Sequence, residues 1–113
     1  MESLGERRIS RLLEALLINF ESQKKFPDCV DKRPLIFDFW LPELNVLIEF
    51  DGPQHFEPKH YFGGRASFDA TVRRDKIKSL YALEKGIRLI RVKYTEKEIE
   101  AFLSLELGIA MDK

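Results

Sequence analysis

The chain of 113 residues has one cysteine, no long hydrophobic run and no formal net charge. The lone Cys29 excludes an intramolecular disulfide framework and a multi-cysteine zinc site, so a reducing cytoplasm is the expected compartment. No apolar stretch approaches the roughly 20 residues that span a membrane, and the N-terminus lacks the apolar core of a signal peptide. We therefore expect no membrane partner, and the length leaves room for a single domain covering residues 1–113.

Basic and acidic residues are equal in number but unevenly distributed. Residues 1–58 hold 7 basic and 11 acidic residues, residues 59–93 hold 10 and 3, and residues 94–113 hold 2 and 5. Basic side chains beside a polyanion release its condensed counterions, so the middle block is a candidate phosphate-binding surface. A solvated face of lysines and arginines would give the same composition, and charge alone does not decide between the two.

Hydrophobic periodicity and turn residues predict the element order α, β, β, β, α, β, α, a mixed α/β (α+β) domain around a small sheet. The first helix begins near Ser3, where Ser3 and Glu6 can form a capping box. A first strand is expected around Phe26. Residues 34–41 and 44–51 then predict a β-hairpin.

The second half of the chain contains two further helices and one strand. Residues 52–70 are expected to form a long loop, and a helix follows from about Thr71 to Lys85, with Gly86 directly after it. Residues 87–92 predict a strand. A second capping box at Thr95 and Glu98 predicts the start of the last helix.

Asp38 and Glu49 are the first candidate site residues. A two-residue hairpin loop at residues 43–44 would set Asp38 directly opposite Glu49, and any even-length loop would keep both on one face. Like charges in that arrangement are destabilising, so a cation between them is expected. Carboxylate oxygens suit Mg²⁺, although pairing of each acid with an arginine would also neutralise the pair.

Other polar residues extend this acidic pair. Asp51 shares the strand parity of Glu49, and His55 follows at the exit of the strand. An imidazole has an unperturbed pKa near 6.5, which suits proton transfer beside carboxylates. Asp75, near the start of the basic helix, is placed to orient the imidazole. Glu6 is either a helix cap or an inward carboxylate at the mouth of the site.

Several short segments together carry a resemblance to a known family. They are Gly5-Glu6, Phe37-Asp38-Phe39, Ile48-Glu49-Phe50-Asp51-Gly52, Gln54-His55, Arg74-Asp75 and Ile90-Arg91. In order and spacing the chain resembles the very-short-patch-repair-like branch of the PD-(D/E)xK nucleases and its phage homing-endonuclease relatives. The relatives' signature is Glu, Asp, a variable residue, His and Asp, and the match covers about residues 4–95.

The resemblance implies a restriction-endonuclease-like αβββαβ core with a C-terminal helix, and a catalytic set of Glu6, Asp38, Glu49, His55 and Asp75. Asp38 and Glu49 would hold the metal ion, with Asp51 as a further candidate ligand. His55, held by Asp75, would shuttle a proton, and Glu6 would assist from the helix.

Two features depart from the superfamily pattern. Asp51 stands where the usual D/E-x-K motif has its lysine, so histidine chemistry is expected instead of a lysine-assisted nucleophile. Pro27-Asp28 also spells the superfamily's PD motif. We prefer Asp38, because it comes from the strand that can pair opposite Glu49.

These features predict a divalent-metal-dependent DNA endonuclease that uses Mg²⁺ or Mn²⁺ and no small-molecule cofactor. The basic residues expected to hold the DNA backbone are Arg65, Arg73, Arg74, Lys76, Lys78, Arg88, Arg91 and Lys93. One site cuts one strand, so the alternatives are a nickase, a homodimer and two successive cuts. RNA as substrate, and a non-catalytic DNA-binding or assembly module on the same fold, are further alternatives. The expected location is the cytoplasm of a bacterium or of a phage-infected host.

Overall fold

A computed structural model describes residues 2–53, 56 and 64–109. The elements are α1 (Leu4–Ala15), β1 (Glu21–Asp31), β2 (Arg33–Leu41), β3 (Val46–Asp51), α2 (Gly64–Lys85), β4 (Arg88–Lys93) and α3 (Ile99–Glu106). This order confirms the predicted mixed α/β fold with its αβββαβ core and C-terminal helix. No helix in these described ranges is long and apolar enough to cross a bilayer.

The four strands form one sheet in the order β1-β2-β3-β4. The β1–β2 and β2–β3 pairs are antiparallel, whereas β3 and β4 run parallel. A parallel pair needs a crossover connection, and α2 lies in the segment between these two strands. Trp40 lies opposite Leu47 and Phe39 opposite Ile48, which is the predicted hairpin register. The turn has four residues, 42–45, and its even length preserves that register.

Two hydrophobic clusters cover the two faces of the sheet. The larger cluster joins α1 and α3 to the sheet, with Leu13, Phe39 and Leu103 at its centre. The smaller cluster includes Phe37 and packs against Tyr81 of α2. Full burial of one such apolar side chain contributes about 1.5–3 kcal/mol. The sheet is therefore held between α1 and α3 on one side and α2 on the other.

Helix α2 begins earlier than the sequence predicted. The expectation of a loop over residues 52–70 is wrong for residues 64–70, which are helical. Gly64 has a positive φ of 65°, and the six residues after it contain neither glycine nor proline. Arg65 and Asp69 also form an (i, i+4) ion pair at 3.9 Å. The predicted end is confirmed, since Gly86 follows Lys85 with a φ of 69°.

Helix α3 begins later than predicted, and its predicted capping box is wrong. The N-cap residue is Glu98, which makes no side-chain cap hydrogen bond. After β4, the Tyr94 N–H donates to the Asp51 carbonyl and the Glu96 N–H to the Lys93 carbonyl. The first bond keeps Tyr94 against the end of β3 and the second closes a turn over residues 93–96, so Thr95 lies in this turn and is too early in the chain to cap the helix.

Candidate active site

At Asp38, the side chains of β2 stop alternating regularly between the two faces of the sheet. In a regular strand, Phe37 and Phe39 would point to the same side. Instead Phe39 lies in the α1/α3 cluster and Phe37 in the α2 cluster. The β1–β2 ladder skips Gln23 and Asp38 between regular pairs on both sides, and Gln23 has a positive φ of 54°. The sheet is therefore irregular at the leading candidate residue.

Asp38 and Glu49 meet where the β2–β3 ladder ends. The Asp38 N–H donates to Glu49 Oε2 at 2.7 Å, and the Phe50 N–H donates to Asp38 Oδ2 at 2.7 Å. Each carboxylate thus takes the place of a main-chain acceptor on the neighbouring strand. Bonds from N–H groups to charged oxygens are short and strong, so they fix both side chains at the fork between the strands.

Glu6 reaches the same place from α1. The predicted capping box is confirmed, because the Ser3 N–H donates to Glu6 Oε1 and the Glu6 N–H donates to Ser3 Oγ. The Glu6 carboxyl group also lines the same cleft as Asp38 and is close enough to raise the pKa of Asp38. A Cβ atom added at Gly5 would overlap the Phe50 ring, so glycine lets the start of α1 approach β3 closely. Glu6 is both a cap and an inward carboxyl group.

Lys78 of α2 completes the group of charged side chains. Its Nζ donates to Glu49 Oε1 at 2.5 Å, and the exposed fractions of the two side chains are only 12% and 4%. The ammonium also lies 5.2 Å from the centroid of the Phe37 ring. The sequence analysis placed Lys78 among the residues that hold a DNA backbone. Its position relative to Glu49 depends on the packing of α2 on the sheet, which no local sequence signal gives.

These side chains line one cleft of about 410 Å³. Its polar wall consists of Ser3, Glu6, Asp38, Glu49 and Lys78, and its apolar wall includes Phe50, Pro53 and Tyr94. Four elements meet here, namely the first turn of α1, the end of the β2–β3 ladder, α2 and the chain after β4. Three of the five predicted catalytic residues therefore come together, namely Glu6, Asp38 and Glu49.

The environment of Asp38 favours its protonated form. Burial first, then the nearby Glu49 carboxyl group and to a smaller extent Glu6, raise the pKa of Asp38 to about 8, against the lowering effect of the Phe50 N–H. A cation bound beside this carboxyl group would stabilise its ionised form and lower its pKa. Perturbed acids in clefts are also typical of functional sites.

Asp51 and Asp75 lie outside the lining of this cleft. Arg91 of β4 joins them, since its Nη1 is 3.1 Å from Asp51 Oδ1 and 3.7 Å from Asp75 Oδ1. Its Nη2 also donates to the Asp75 carbonyl at 3.2 Å. Arg91 thus neutralises Asp51, which the sequence analysis considered as a further metal ligand, and it holds Asp75 on the same side of the sheet.

His55 and Asp28 are the two remaining residues that the sequence singled out. His55 lies outside the described residues, so its expected contact with Asp75 stays a prediction. Asp28 of the Pro27-Asp28 motif accepts a hydrogen bond from Tyr81 at 2.8 Å and pairs with Lys85 at 3.0 Å. It joins β1 to the end of α2 and does not line the cleft.

The predicted DNA-binding residues occupy different surroundings. Arg65 pairs with Asp69, and Arg73 pairs with Asp31 at 3.0 Å. Arg74 is half-buried, while Lys76 and Lys93 are exposed. Arg88 forms an ion pair with Glu106, and Lys93 lies 5.3 Å from the centroid of the Phe56 ring.

The cleft offers two carboxylate ligands for a magnesium-type ion, those of Asp38 and Glu49. Within the described ranges, no group of three or more His, Cys, Asp and Glu side chains is arranged to hold a metal. Mg²⁺ usually takes only one or two carboxylates and fills its remaining positions with water and phosphate oxygens. Asp38 and Glu49 supply that number, and a cation beside Asp38 would stabilise the ionised form that burial and the nearby Glu49 disfavour.

Two viral proteins are similar to part of this chain. Uncharacterized protein 094L of frog virus 3 (isolate Goorha) is 38% identical over 73 residues, which are 63% of this chain and 47% of the relative. Uncharacterized protein 307L of invertebrate iridescent virus 6 is 30% identical over 70 residues, 61% of this chain and 36% of the relative. This chain thus spans less than half the length of either relative. No protein-family model matches the chain.

Proposed function

We propose that the protein is a divalent-metal-dependent endonuclease that hydrolyses phosphodiester bonds in DNA. The observation that supports this most is the meeting of Asp38 and Glu49 at the fork between β2 and β3, in a cleft shared with Glu6 and Lys78. The resemblance to the PD-(D/E)xK nucleases concerns the same residues. The buried free thiol of Cys29 also agrees with the expected cytoplasmic location.

Asp38 and Glu49 would hold Mg²⁺ or Mn²⁺. When bound, the ion would polarise the scissile phosphate, neutralise the charge that develops there and lower the pKa of the attacking water. Glu6, which lines the cleft beside Asp38, would position that carboxylate and a water molecule next to it. His55 keeps the role of proton shuttle that the resemblance gives it.

Asp51 stands where the D/E-x-K motif has its lysine. Lys78 would supply that positive charge instead. At present its ammonium balances Glu49. With a divalent ion beside Glu49, this balance is no longer needed, and Lys78 can turn its charge toward a phosphate oxygen. The Lys78 ammonium already lies 5.2 Å from the centroid of the Phe37 ring, and only 12% of the side chain is exposed, so it would reach a phosphate oxygen from a partly ordered position.

A second candidate is a non-catalytic DNA-binding or assembly module on the same fold. Two observations favour it. The carboxylates of Asp38 and Glu49 already satisfy N–H groups of the neighbouring strand, and Lys78 neutralises Glu49 without a metal ion. Under this alternative, the acids stabilise the fork between the strands and have no chemical role.

Cleavage of supercoiled plasmid separates the two candidates. The wild type is incubated with Mg²⁺, Mn²⁺ or EDTA beside Asp38→Ala and His55→Ala, and matched RNA and DNA duplexes identify the polymer. We expect metal-dependent nicking by the wild type, because one cleft acts on one strand, and at least a hundredfold loss of rate in both variants. A linear product that appears only at high protein concentration would indicate a homodimer.

Asp69→Ala and His60→Ala are the matched controls, since each removes the same residue type elsewhere in the chain, and Asp69 is exposed. Circular dichroism checks that every variant is folded. Absence of cleavage by the folded wild type with both metal ions would refute the nuclease proposal. DNA binding that persists in EDTA would then favour the binding module.

A further inference from the structure

A second cavity lies between the turn of the β1–β2 hairpin and α2, with a volume of about 590 Å³. Its basic lining residues are Lys32 and Arg33 from the hairpin and Arg73, Arg74 and Lys78 from α2. Asp31 is the acidic residue of the lining, and Pro34, Leu35 and Ile36 give it an apolar wall. We call this cavity the hairpin groove.

The positive charge of the hairpin groove is only partly balanced. Arg73 pairs with Asp31 and Lys78 pairs with Glu49. Lys32, Arg33 and Arg74 form no ion pair with any other residue in the described ranges. Cations that converge on a concave surface repel one another and attract a polyanion, even in a chain of zero net charge.

The backbone of the hairpin gives independent support. Lys32 has a positive φ of 66° at the turn between β1 and β2. Glycine and asparagine adopt this left-handed conformation at lower cost than lysine. The sequence therefore places an exposed cation at the hairpin tip against the preference of the backbone, beside a second cation at Arg33.

The groove lies beside the acidic cleft. Lys78 lines both cavities, so a phosphate bound near its ammonium would have its neighbours along the strand directed into the groove. The long cationic side chains suit the phosphate oxygens, and the apolar wall suits the sugars between them. This arrangement matches a polymer with one negative charge per nucleotide.

We propose that the hairpin groove binds the phosphodiester backbone of the DNA strand beside the bond on which the acidic cleft acts. The inference rests on the proposed function for the identity of the polymer. Lys32, Arg33 and Arg74 are its positioning residues, and they bind without reading the base sequence, because phosphate contacts carry no sequence information.

Fluorescence anisotropy in EDTA measures this binding without cleavage. Labelled single-stranded and duplex DNA are titrated with the full chain over a range of KCl concentrations. The test variant is Lys32→Ala/Arg33→Ala. The control is Arg11→Ala/Lys97→Ala, which removes two exposed cations, one on α1 and one just before α3, both elements of the opposite face of the sheet.

We expect the hairpin variant to bind at least tenfold more weakly at low salt. The slope of log K against log salt should become shallower by about 1.8 on duplex DNA or about 1.4 on a single strand, for two lost phosphate contacts. The control should keep the wild-type affinity and slope. A folded hairpin variant that binds like the control, or a wild type that binds neither DNA, would overturn the inference.

Failure of the nuclease proposal and failure of the groove proposal would give different results in the cleavage and binding experiments. If the wild type does not cut DNA but the hairpin variant loses affinity and slope, the groove is still a backbone-binding site. Asp38→Asn should cut nothing and bind DNA about as tightly as the wild type, since it removes a metal ligand of the acidic cleft and leaves the lining of the groove intact. Weaker binding by Asp38→Asn than by the hairpin variant would count against the groove as the main contact.

Discussion

Asp38 lies in surroundings that favour its protonated form. The pKa of Asp38 is raised from 3.8 to about 8, first by burial and then by Glu49. The folded chain therefore binds a proton that the unfolded chain releases above pH 4. Its stabilising contribution is complete below the unfolded pKa and is lost as the pH rises through the folded pKa.

Asp38→Asn should remove this pH dependence. We expect wild type and variant to be about equally stable near pH 4, with the variant more stable by about 1 kcal/mol or more at pH 8, because the wild type loses the stabilisation of the Asp38 proton over this range and asparagine has no such proton to lose. Urea unfolding in EDTA at several pH values measures the difference. Asp69→Asn, on an exposed residue, is the control, and a gap that does not widen between pH 4 and pH 8 contradicts the prediction.

Lys78 contributes to stability through its buried ion pair with Glu49. Its removal leaves the Glu49 carboxylate buried without a counter-charge. We expect Lys78→Ala to lose about 3–5 kcal/mol of unfolding free energy in EDTA, the usual cost of breaking a buried pair. The exposed neighbour Lys76→Ala should change stability by less than about 0.5 kcal/mol.

Metal addition gives the Lys78 prediction its specific readout. Millimolar Mn²⁺ should restore much of the lost stability of Lys78→Ala, because a cation beside Glu49 replaces the ammonium, and binding to the folded state raises the melting temperature. Thermal melts with and without Mn²⁺ test this. Equal responses of Lys78→Ala and Lys76→Ala to the metal would speak against a cation site at Glu49.

At the scale of elements, the approach of α1 to β3 positions the site. Gly5 allows the first turn of the helix to lie on the Phe50 ring, and this contact carries Glu6 to Asp38. The capping box at Ser3 fixes where the helix begins. The position of Glu6 thus depends on one small residue and one helix cap.

Gly5→Ala should disturb this contact. We expect a loss of about 1–3 kcal/mol from overpacking against Phe50, with reduced cleavage because Glu6 moves with the helix. Phe50→Leu should restore stability when combined with Gly5→Ala, since the shorter side chain leaves room for the added methyl group. Chemical denaturation of the two single variants and the double variant forms the test, and additive losses would exclude the proposed clash.

For the whole molecule, the distribution of charge matters more than its sum. Three acids lie at one end of a path that begins in the cation-lined hairpin groove, and Lys78 lies between the two regions. The basic block seen in residues 59–93 supplies the α2 part of this path. Its other half comes from Lys32 and Arg33, in a part of the chain where acids outnumber bases.

Local patterns in the sequence determined much of this protein. The capping box of α1, the even-length hairpin turn and the glycine after α2 act over a few residues, so the elements, the β2–β3 register and the meeting of Asp38 with Glu49 were predictable. The start of α2 was missed because glycine at a helix start favours a turn and gives no helix signal. The start of α3 was missed because a turn after β4, closed by the bond from the Glu96 N–H to the Lys93 carbonyl, delays it.

Tertiary packing alone decided the rest. The pairing of Lys78 with Glu49 and of Arg91 with Asp51 joins side chains 29 and 40 positions apart. The change of face at Asp38 and the convergence of the hairpin with α2 also depend on how β1 and α2 meet the sheet. Periodicity reports which face of an element is buried, whereas the identity of the neighbour across that face is set only when the whole chain has folded.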